Sequence, residues 1–173
     1  MNAQKRSRFS RPFVFAALFS CSLLAAAQSG PAILHAAEAG KLLPDSVYYA
    51  GKSAGTQLRN SAGIQFPGGH YTLAVLVDTS GYSTAVAQKY QGYLLTEVPL
   101  EFGGHRLPAG AYGFGFVSGH FGVMDIGNND VLQASATHDQ QMKRPVPLQI
   151  MDAGSGGYRL CSGRDCVVFR RAE

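Results

Sequence analysis

Two cysteines near the end of the chain are spaced for a covalent link. Cys161 and Cys166 are separated by four residues, and apolar residues flank both of them. A hairpin with a loop of this length sets the flanking residues opposite each other, so that apolar residues meet apolar partners. The expected pairs are Leu160 with Val167 and Tyr158 with Phe169. The spacing predicts a cross-strand disulfide in an oxidising compartment, with two free thiols as the alternative.

Two aspartates follow apolar runs in an arrangement similar to that of a catalytic aspartate. Asp78 comes directly after Leu76-Val77, as in an aspartic protease, but Ser80 stands where that pattern has glycine. Asp125 repeats the arrangement more loosely. A protease of this class needs two carboxylates that share one proton. Because aspartate also commonly ends a strand and begins a turn, an aspartic-type hydrolase that uses Asp78 and Asp125 is the alternative function rather than the leading one.

The tyrosines are the residues best suited to binding. The chain has 8 tyrosines, and all of them follow the first 27 residues. An exposed tyrosine offers an apolar ring together with a hydroxyl, which suits contacts with a sugar or with another protein. Core packing is the alternative role for each ring. We predict a possible binding face made by five of them, namely Tyr48, Tyr49, Tyr82, Tyr90 and Tyr93.

The other polar residues give no catalytic, cofactor or metal signature. Four residues could offer oxygen atoms to Ca²⁺, namely Asp125, Asn128, Asn129 and Asp130, but their spacing differs from that of an EF-hand loop and a plain turn is the simpler interpretation. The histidines are scattered among predicted turns, and two cysteines alone do not complete a tetrahedral zinc site. The sequence has no G-x-S-x-G elbow, P-loop or dinucleotide fingerprint. We therefore expect a non-enzymatic protein with no metal site and no cofactor.

Residues 92–117 contain the two strands around which we expect the others to pair. The first strand covers 94–102, and its side chains alternate between two faces. One face is predicted to be buried; its members are Leu94, Thr96, Val98, Leu100 and Phe102. Pro99 cannot donate to a ladder, which favours an edge strand or a bulge at that point.

The second strand follows a turn and alternates aromatic residues with glycines. Tyr112, Phe114 and Phe116 share one face, whereas Gly113 and Gly115 share the other. Glycine weakens a strand, so these two predict the close approach of another backbone or of a large side chain. The segment VPLEFGGHRLPAGAYGFGF resembles exported bacterial domains of unknown function that carry an LPAG-x-Y turn between two strands of a β-sandwich. The resemblance implies a sandwich fold and no activity.

The N-terminus has the parts of a secretory signal peptide. Four basic residues come first, an apolar run follows, and Ala25-Ala26-Ala27 satisfies the small-residue rule for cleavage before Gln28. The apolar run is short for a membrane span. We therefore predict a signal peptide over 1–27, export to the periplasm or the extracellular space, and no membrane span in the mature chain. An uncleaved membrane anchor, cleavage after Ala39 and lipidation of Cys21 are the alternatives.

The predicted mature chain has no net charge. The whole chain carries 15 Lys and Arg against 11 Asp and Glu, but four of the basic residues lie in the signal peptide. The remainder is formally neutral and gives no reason to expect a nucleic acid as partner. We expect an unknown envelope protein or a glycan instead.

The rest of the pattern divides the chain into a lead and one β domain. Residues 28–45 show little pattern and predict a flexible lead, with a short helix over 33–43 that Pro44 ends as the alternative. Beyond it, turns separate short apolar or alternating segments, among them strands over 56–59 and 63–66. A short helix is expected over 83–91, with a continued strand as the alternative. We predict an all-β domain over 46–173, built as a single antiparallel β-sandwich or small barrel. The leading function is that of an exported, non-enzymatic envelope protein with a binding or structural role.

Overall fold

The computed structural model describes residues 30–173, so the predicted signal peptide and its cleavage site lie outside the described residues. The described chain contains fourteen strands and two short helices. The elements of its first half are β1 (Ala32–Leu34), α1 (Ala36–Ala39), β2 (Ser46–Tyr49), β3 (Lys52–Gln65), β4 (Tyr71–Val77), α2 (Thr84–Lys89), β5 (Gly92–Thr96), β6 (Leu100–Phe102) and β7 (His105–Leu107). Those of its second half are β8 (Gly110–Val117), β9 (His120–Met124), β10 (Asp130–Ser135), β11 (Thr137–His138), β12 (Gln149–Gly154), β13 (Gly157–Ser162) and β14 (Asp165–Arg171).

The strands form two antiparallel sheets that pack face to face. The first sheet has eight strands in the order β1-β3-β4-β5-β8-β9-β10, with β2 also paired to β3. The second has six strands in the order β12-β13-β14-β6-β7, with β11 also paired to β14. Neither sheet closes on itself. The predicted all-β class is therefore confirmed, and of the two predicted architectures the molecule adopts the sandwich.

The main hydrophobic core lies between the two sheets. At its centre, the ring of Phe102 stacks on Phe121 of the first sheet and on Phe169 of its own sheet, with centroids 5.1 and 5.3 Å apart. Other buried members are Ile64, Phe66, Leu94, Leu100, Leu107, Phe114, Ile150 and Leu160. Full burial of one such side chain is worth about 1.5–3 kcal/mol, so this core supplies most of what holds the sheets together.

The single strand predicted over 94–102 is in fact two strands in different sheets. β5 ends at Thr96 in the first sheet, and β6 begins at Leu100 in the second. Pro99 lies between them and has no N–H for a ladder, and the hydroxyl of Thr96 donates to the carbonyl of Val98 at 2.6 Å. The predicted alternation is confirmed, because all five members of the predicted face are buried. Both strands keep that face because both border the same core.

The N-terminal lead is part of the β domain. β1 pairs antiparallel with the end of β3, and α1 packs on the same strand. Ala39 and Leu43 are buried against Leu73 and Val75 on the outer face of the first sheet. Over its described part, the structure thus differs from the flexible lead predicted for 28–45, and α1 lies within the range 33–43 of the alternative short helix. A strand of three residues and a helix of four are too short to show a hydrophobic period.

Strand β3 is one long strand where the sequence pattern predicts two short ones. Its pairing with β4 shifts register between Gln57 and Ser61. This bulge separates a first half that pairs with β2 from a second half that pairs with β1. Bulges bend a strand, so the β2–β3 ribbon turns over the outer face of the first sheet, where Tyr49 reaches Gly113 of β8.

Helix α2 covers the neighbouring part of that outer face. It lies within the predicted range 83–91, so the prediction of a short helix there is confirmed. Ser83 occupies the N-cap position, although its side chain makes no cap hydrogen bond. The carbonyl of Lys89 lies directly above Gly115 of β8, where a Cβ atom would collide with it. The predicted close approach of another backbone to this glycine is thus confirmed.

Candidate functional site

The cysteine pair forms the predicted disulfide. The Cα atoms of Cys161 and Cys166 are 4.1 Å apart and their sulfur atoms are bonded. β13 and β14 pair in the predicted register, with Leu160 opposite Val167 and Tyr158 opposite Phe169. Both cysteines are buried. The bond is therefore a structural link between the last two strands of the chain.

Asp78 and Asp125 are not brought together. Asp78 follows β4 and Asp125 follows β9, and both β5 and β8 lie between those two strands in the sheet. Three strand spacings amount to about 14 Å. Carboxylates so far apart do not share a proton, because shared protonation requires near contact.

The surroundings of each aspartate also differ from those of a catalytic pair. The backbone N–H of Ser80 donates to Asp78 at 3.0 Å and lowers the pKa of that carboxyl. The side chain and backbone of Asn129 donate to Asp125, with the closest contact at 2.9 Å, and lower its pKa as well. A shared proton requires one carboxyl whose pKa is raised. Both aspartates therefore act as turn-forming residues, Asp78 in an exposed position and Asp125 in a half-buried one.

The five tyrosines of the predicted binding face lie mostly inside the protein. Tyr49 and Tyr90 are fully buried, and Tyr82 and Tyr93 are half-buried. Tyr48 is the one that projects into solvent, with 61% of its surface exposed. Adjacent side chains of a strand point to opposite faces, which explains why Tyr48 and Tyr49 differ. An exposed face built from all five rings is not formed.

Three of these tyrosines form an aromatic cluster on the outer face of the first sheet. The rings of Tyr49 and Tyr90 stack with centroids 3.7 Å apart, and Tyr82 packs edge-on against both. The stack rests on Gly113, where a Cβ atom would lie 2.5 Å from Tyr49 and 2.9 Å from Tyr90. The predicted approach of a large side chain to a glycine of β8 is confirmed, and the cluster fixes the β2–β3 ribbon to the sheet.

The hydroxyl groups of the cluster differ in their partners. Tyr49 donates to Oδ1 of Asn128 at 2.8 Å, and Tyr82 donates to the carbonyl of Tyr49 at 3.0 Å. The hydroxyl of Tyr90 has no partner among residues 30–173. Burial raises the pKa of Tyr49 to about 12 and raises the pKa of Tyr90 as well. These phenols therefore stay neutral at physiological pH and serve packing rather than acid–base chemistry.

His138 and Asp165 form a close side-chain pair between β11 and β14. Nδ1 of His138 lies 2.7 Å from Oδ1 of Asp165, and about half of each side chain is exposed. Such a pair supports nucleophilic catalysis only when the second ring nitrogen meets a hydroxyl or a thiol. Within 30–173, no such group hydrogen-bonds the ring. The contact is a surface pair of small energetic weight.

The free edge of strand β10 is the feature that sequence reasoning did not identify. β10 ends the first sheet and pairs with β9 alone. The amide of Ala136, just after β10, donates to the carbonyl of Gly119 on the β9 side. Backbone groups alternate in direction along a strand, so Ala134 also faces β9 while Gln133 and Ser135 direct their N–H and C=O groups outward. The alternation of side chains along a strand does not show whether the strand has a hydrogen-bonded neighbour on both sides or on one side only.

An open groove lies on the outer face of the first sheet beside this edge. This outer groove has a volume of about 400 Å³. Gly115 and Gly122, which pair across β8 and β9, form its floor. Nothing lies within 4 Å of the position that a Cβ atom of Gly122 would take. The walls include Lys89, Val117, Met124, Asp130 and Val131.

A second groove lies on the other side of β10. This side groove has a volume of about 690 Å³ and is bordered by the β6–β7 turn, by β14 and by the β12–β13 turn. Its lining includes Gly103, His105, Gly157, Val168 and Arg170. His120 and Gln133 line both grooves. The free edge therefore stands between two open spaces, one on each face of its strand.

The charges beside the two grooves are paired with each other. In the outer groove, Nζ of Lys89 lies 3.1 Å from a carboxylate oxygen of Asp130. In the side groove, Arg170 contacts Glu101 at 2.6 Å. Neither pair is buried, so each is weak in energy. Because each positive charge is compensated by a negative one, these four residues give neither groove a net charge that would attract a charged ligand.

Comparisons with known proteins add no relative. No family model matches the chain, and no curated protein or solved structure was found to match it. The resemblance to domains with an LPAG-x-Y turn therefore stays a prediction. Within 30–173, no three His, Cys, Asp or Glu side chains are grouped as a metal ion would need. No helix in that range combines the length and the apolar character of a membrane span.

Proposed function

We propose that this protein is an exported, non-enzymatic envelope protein that binds an extended segment of another polypeptide. The segment adds to the first sheet as a further strand at the edge of β10. The observation that supports this proposal is the position of that free edge between the outer groove and the side groove. The disulfide supports the exported location, because disulfides persist in oxidising compartments.

The exposed backbone of β10 supplies hydrogen bonds for such a partner. Gln133 and Ser135 present donors and acceptors outward, and a row of unpaired groups of this kind is a template for another strand. Each backbone hydrogen bond gained adds about 0.5–1.5 kcal/mol net. Several such bonds, together with side-chain contacts, stabilise the complex with an added strand.

The two grooves supply specificity. Successive side chains of a strand point to opposite faces, so a strand added at β10 directs alternate side chains to the outer groove and to the side groove. A glycan has no matching row of backbone groups, and most of the tyrosines expected to hold a sugar are packed inside the protein. An extended polypeptide is therefore the favoured partner.

The positions and partners of the candidate catalytic residues support the non-enzymatic part of the proposal. Asp78 and Asp125 lie at the ends of strands that are not neighbours, and each is occupied in its own turn. His138 has no nucleophile bonded to its ring within the described range. A hydrolase would require one of these groups to meet a reaction partner.

Selection from a displayed library of random linear peptides tests the proposal. The exported protein is the target, and calorimetry then compares the affinity of each selected peptide for the wild type and for Gln133→Pro. Proline removes an outward N–H of the edge strand and leaves the ladder to β9 intact. We expect a loss of affinity of about tenfold or more, since one backbone hydrogen bond disappears and the ring obstructs an added strand.

Gln133→Thr is the matched control. It changes the same side chain but keeps the backbone N–H, so its loss of affinity measures the groove contacts of this side chain alone and should be clearly smaller than that of Gln133→Pro. Selected peptides that bind Gln133→Pro as tightly as the wild type would contradict the proposal. A library that yields no binding peptide would contradict it as well.

A further inference from the structure

The outer groove contains two adjacent glycines over which a bound side chain can lie. Gln133, Gly122 and Gly115 are paired side by side across β10, β9 and β8. Because the two glycines have no side chains, the floor is flat across β9 and β8, and the exposed side chain of Gln133 borders it on the β10 side. The carbonyl of Lys89 closes the far end above Gly115, whereas the space above Gly122 is open.

The groove is mainly apolar, although Ser118, His120 and Gln133 also line it, and the charges of Lys89 and Asp130 at its rim are paired. Val117 and Val131 are exposed by 41% and 42%, and the buried Met124 borders the floor. Nζ of Lys89 contacts both carboxylate oxygens of Asp130 at 3.1 Å, so the rim charges compensate each other. A charged occupant would lose hydration without gaining a free counter-charge. The occupant that complements this groove is uncharged and apolar.

We infer that the outer groove is the specificity pocket of the edge site and takes one long, uncharged, apolar side chain of the bound segment, such as methionine or phenylalanine. This inference rests on the function proposed above. A strand bound at β10 lies two strand spacings, about 10 Å, from β9. Long and aromatic side chains contact diagonal neighbours about 7–8 Å away, so only the longest apolar side chains approach Gly122 across β10. Gly122 determines the selectivity, because any side chain at that position would occupy the groove.

The test uses a peptide from the selection described above together with a copy that has alanine in place of its long apolar residue. Both are titrated against the wild type, Gly122→Leu and Gly55→Leu. Gly55 lies in β3 and, like Gly122, has nothing within 4 Å of its Cβ position, so it is the matched control. We expect Gly122→Leu to weaken the parent peptide about tenfold or more and the alanine copy much less. Gly55→Leu should leave both affinities unchanged.

A smaller substitution keeps the test valid if the leucine variant does not fold. Gly122→Ala should give an intermediate loss for the parent peptide, and thermal unfolding of each variant checks the fold. If Gly122→Leu binds the parent peptide like the wild type while Gln133→Pro still weakens it, the pocket inference is overturned and edge binding stands. Selected peptides without a long apolar residue lead to the same conclusion. If Gln133→Pro has no effect, the proposed function itself fails.

Discussion

At the scale of single residues, glycine and tyrosine are matched in the outer layer of the protein. Gly113 has no side chain, so the stacked rings of Tyr49 and Tyr90 rest directly on β8. The remaining buried residues of this cluster are Val47, Ala54, Val77 and Met124. The rings of the cluster pack directly against the backbone of β8, so there is no room for a methyl group on Gly113.

Gly113→Ala is expected to lower the free energy of unfolding by about 1–3 kcal/mol, because overpacking forces rings or backbone to move. The new methyl carbon would lie 2.5 Å from Cε2 of Tyr49. Urea denaturation of both proteins measures the change. Gly122→Ala is the control, since its methyl group meets open space and should change stability by no more than about 0.5 kcal/mol. Equal effects of the two substitutions would refute the packing argument.

Tyr90→Phe and Tyr49→Phe are expected to differ in their effect on stability. The hydroxyl of Tyr90 is buried without a partner among residues 30–173, so its removal should leave stability unchanged or raise it by up to about 1 kcal/mol. Tyr49→Phe deletes the hydrogen bond to Asn128 and should lower stability by about 0.5–1.5 kcal/mol. Thermal unfolding gives the order of the two variants, and the reverse order would show that the assigned partners are wrong.

At the scale of elements, the β13–β14 hairpin was predictable because all of its information is local. The spacing of Cys161 and Cys166 sets the loop, and the flanking apolar pairs fix the register. A slip by one residue would move every side chain to the other face. Register and disulfide therefore followed from one short segment. The loop is shorter than the four residues predicted, because Ser162 and Asp165 also pair and leave only residues 163–164 between the strands.

Replacing both cysteines by serine is expected to lower stability by roughly 1–3 kcal/mol and to leave the fold intact, because the bond closes only a short loop. Denaturation of wild type and variant under the same buffer measures the loss, and reduced wild-type protein is the control for the chemical change. Two freely alkylated thiols in exported protein would show that the bond does not form in the cell. A variant without native spectra would show that the bond is essential rather than supporting.

Features that depend on distant partners were not predictable from local pattern. The alternation through Pro99 correctly identified the buried face, but it did not indicate that the chain crosses to the other sheet there. The same limit applies to Tyr49 and Tyr90. Their polar hydroxyls suggested that they are exposed, but both rings are buried because they rest on Gly113 within the outer layer. The free edge of β10 depends on which strand is absent beside it, and no residue of β10 encodes that.

At the scale of the whole molecule, the sandwich carries an additional outer layer on one side. The first sheet has the main core on its inner face, and its outer face is covered by α1, by α2 and by the β2–β3 ribbon. The outer groove is the part of that face near β10 which these elements leave open. The location of the candidate site thus follows from where the outer layer ends.

After the export proposed for this protein, the chain is expected to begin near Gln28 rather than at Gly40. Cleavage after Ala39 would remove β1 and α1, which cover Leu73 and Val75 on the outer face. Loss of that apolar contact would cost on the order of several kcal/mol. Intact-mass measurement of the exported protein decides between the two sites. A mass that begins at Gly40, or a lipidated Cys21, would contradict this expectation.

Amide hydrogen exchange across β10 tests the central claim most directly, because it reports on the individual backbone groups of the edge. In the free protein, the amides of Gln133 and Ser135 should exchange fast, whereas that of Ala134, which faces β9, should exchange slowly. When a selected peptide is bound, the first two amides should become protected by about tenfold or more while Ala134 changes little. Unchanged exchange at Gln133 and Ser135 in a complex that is otherwise saturated would contradict strand addition at this edge.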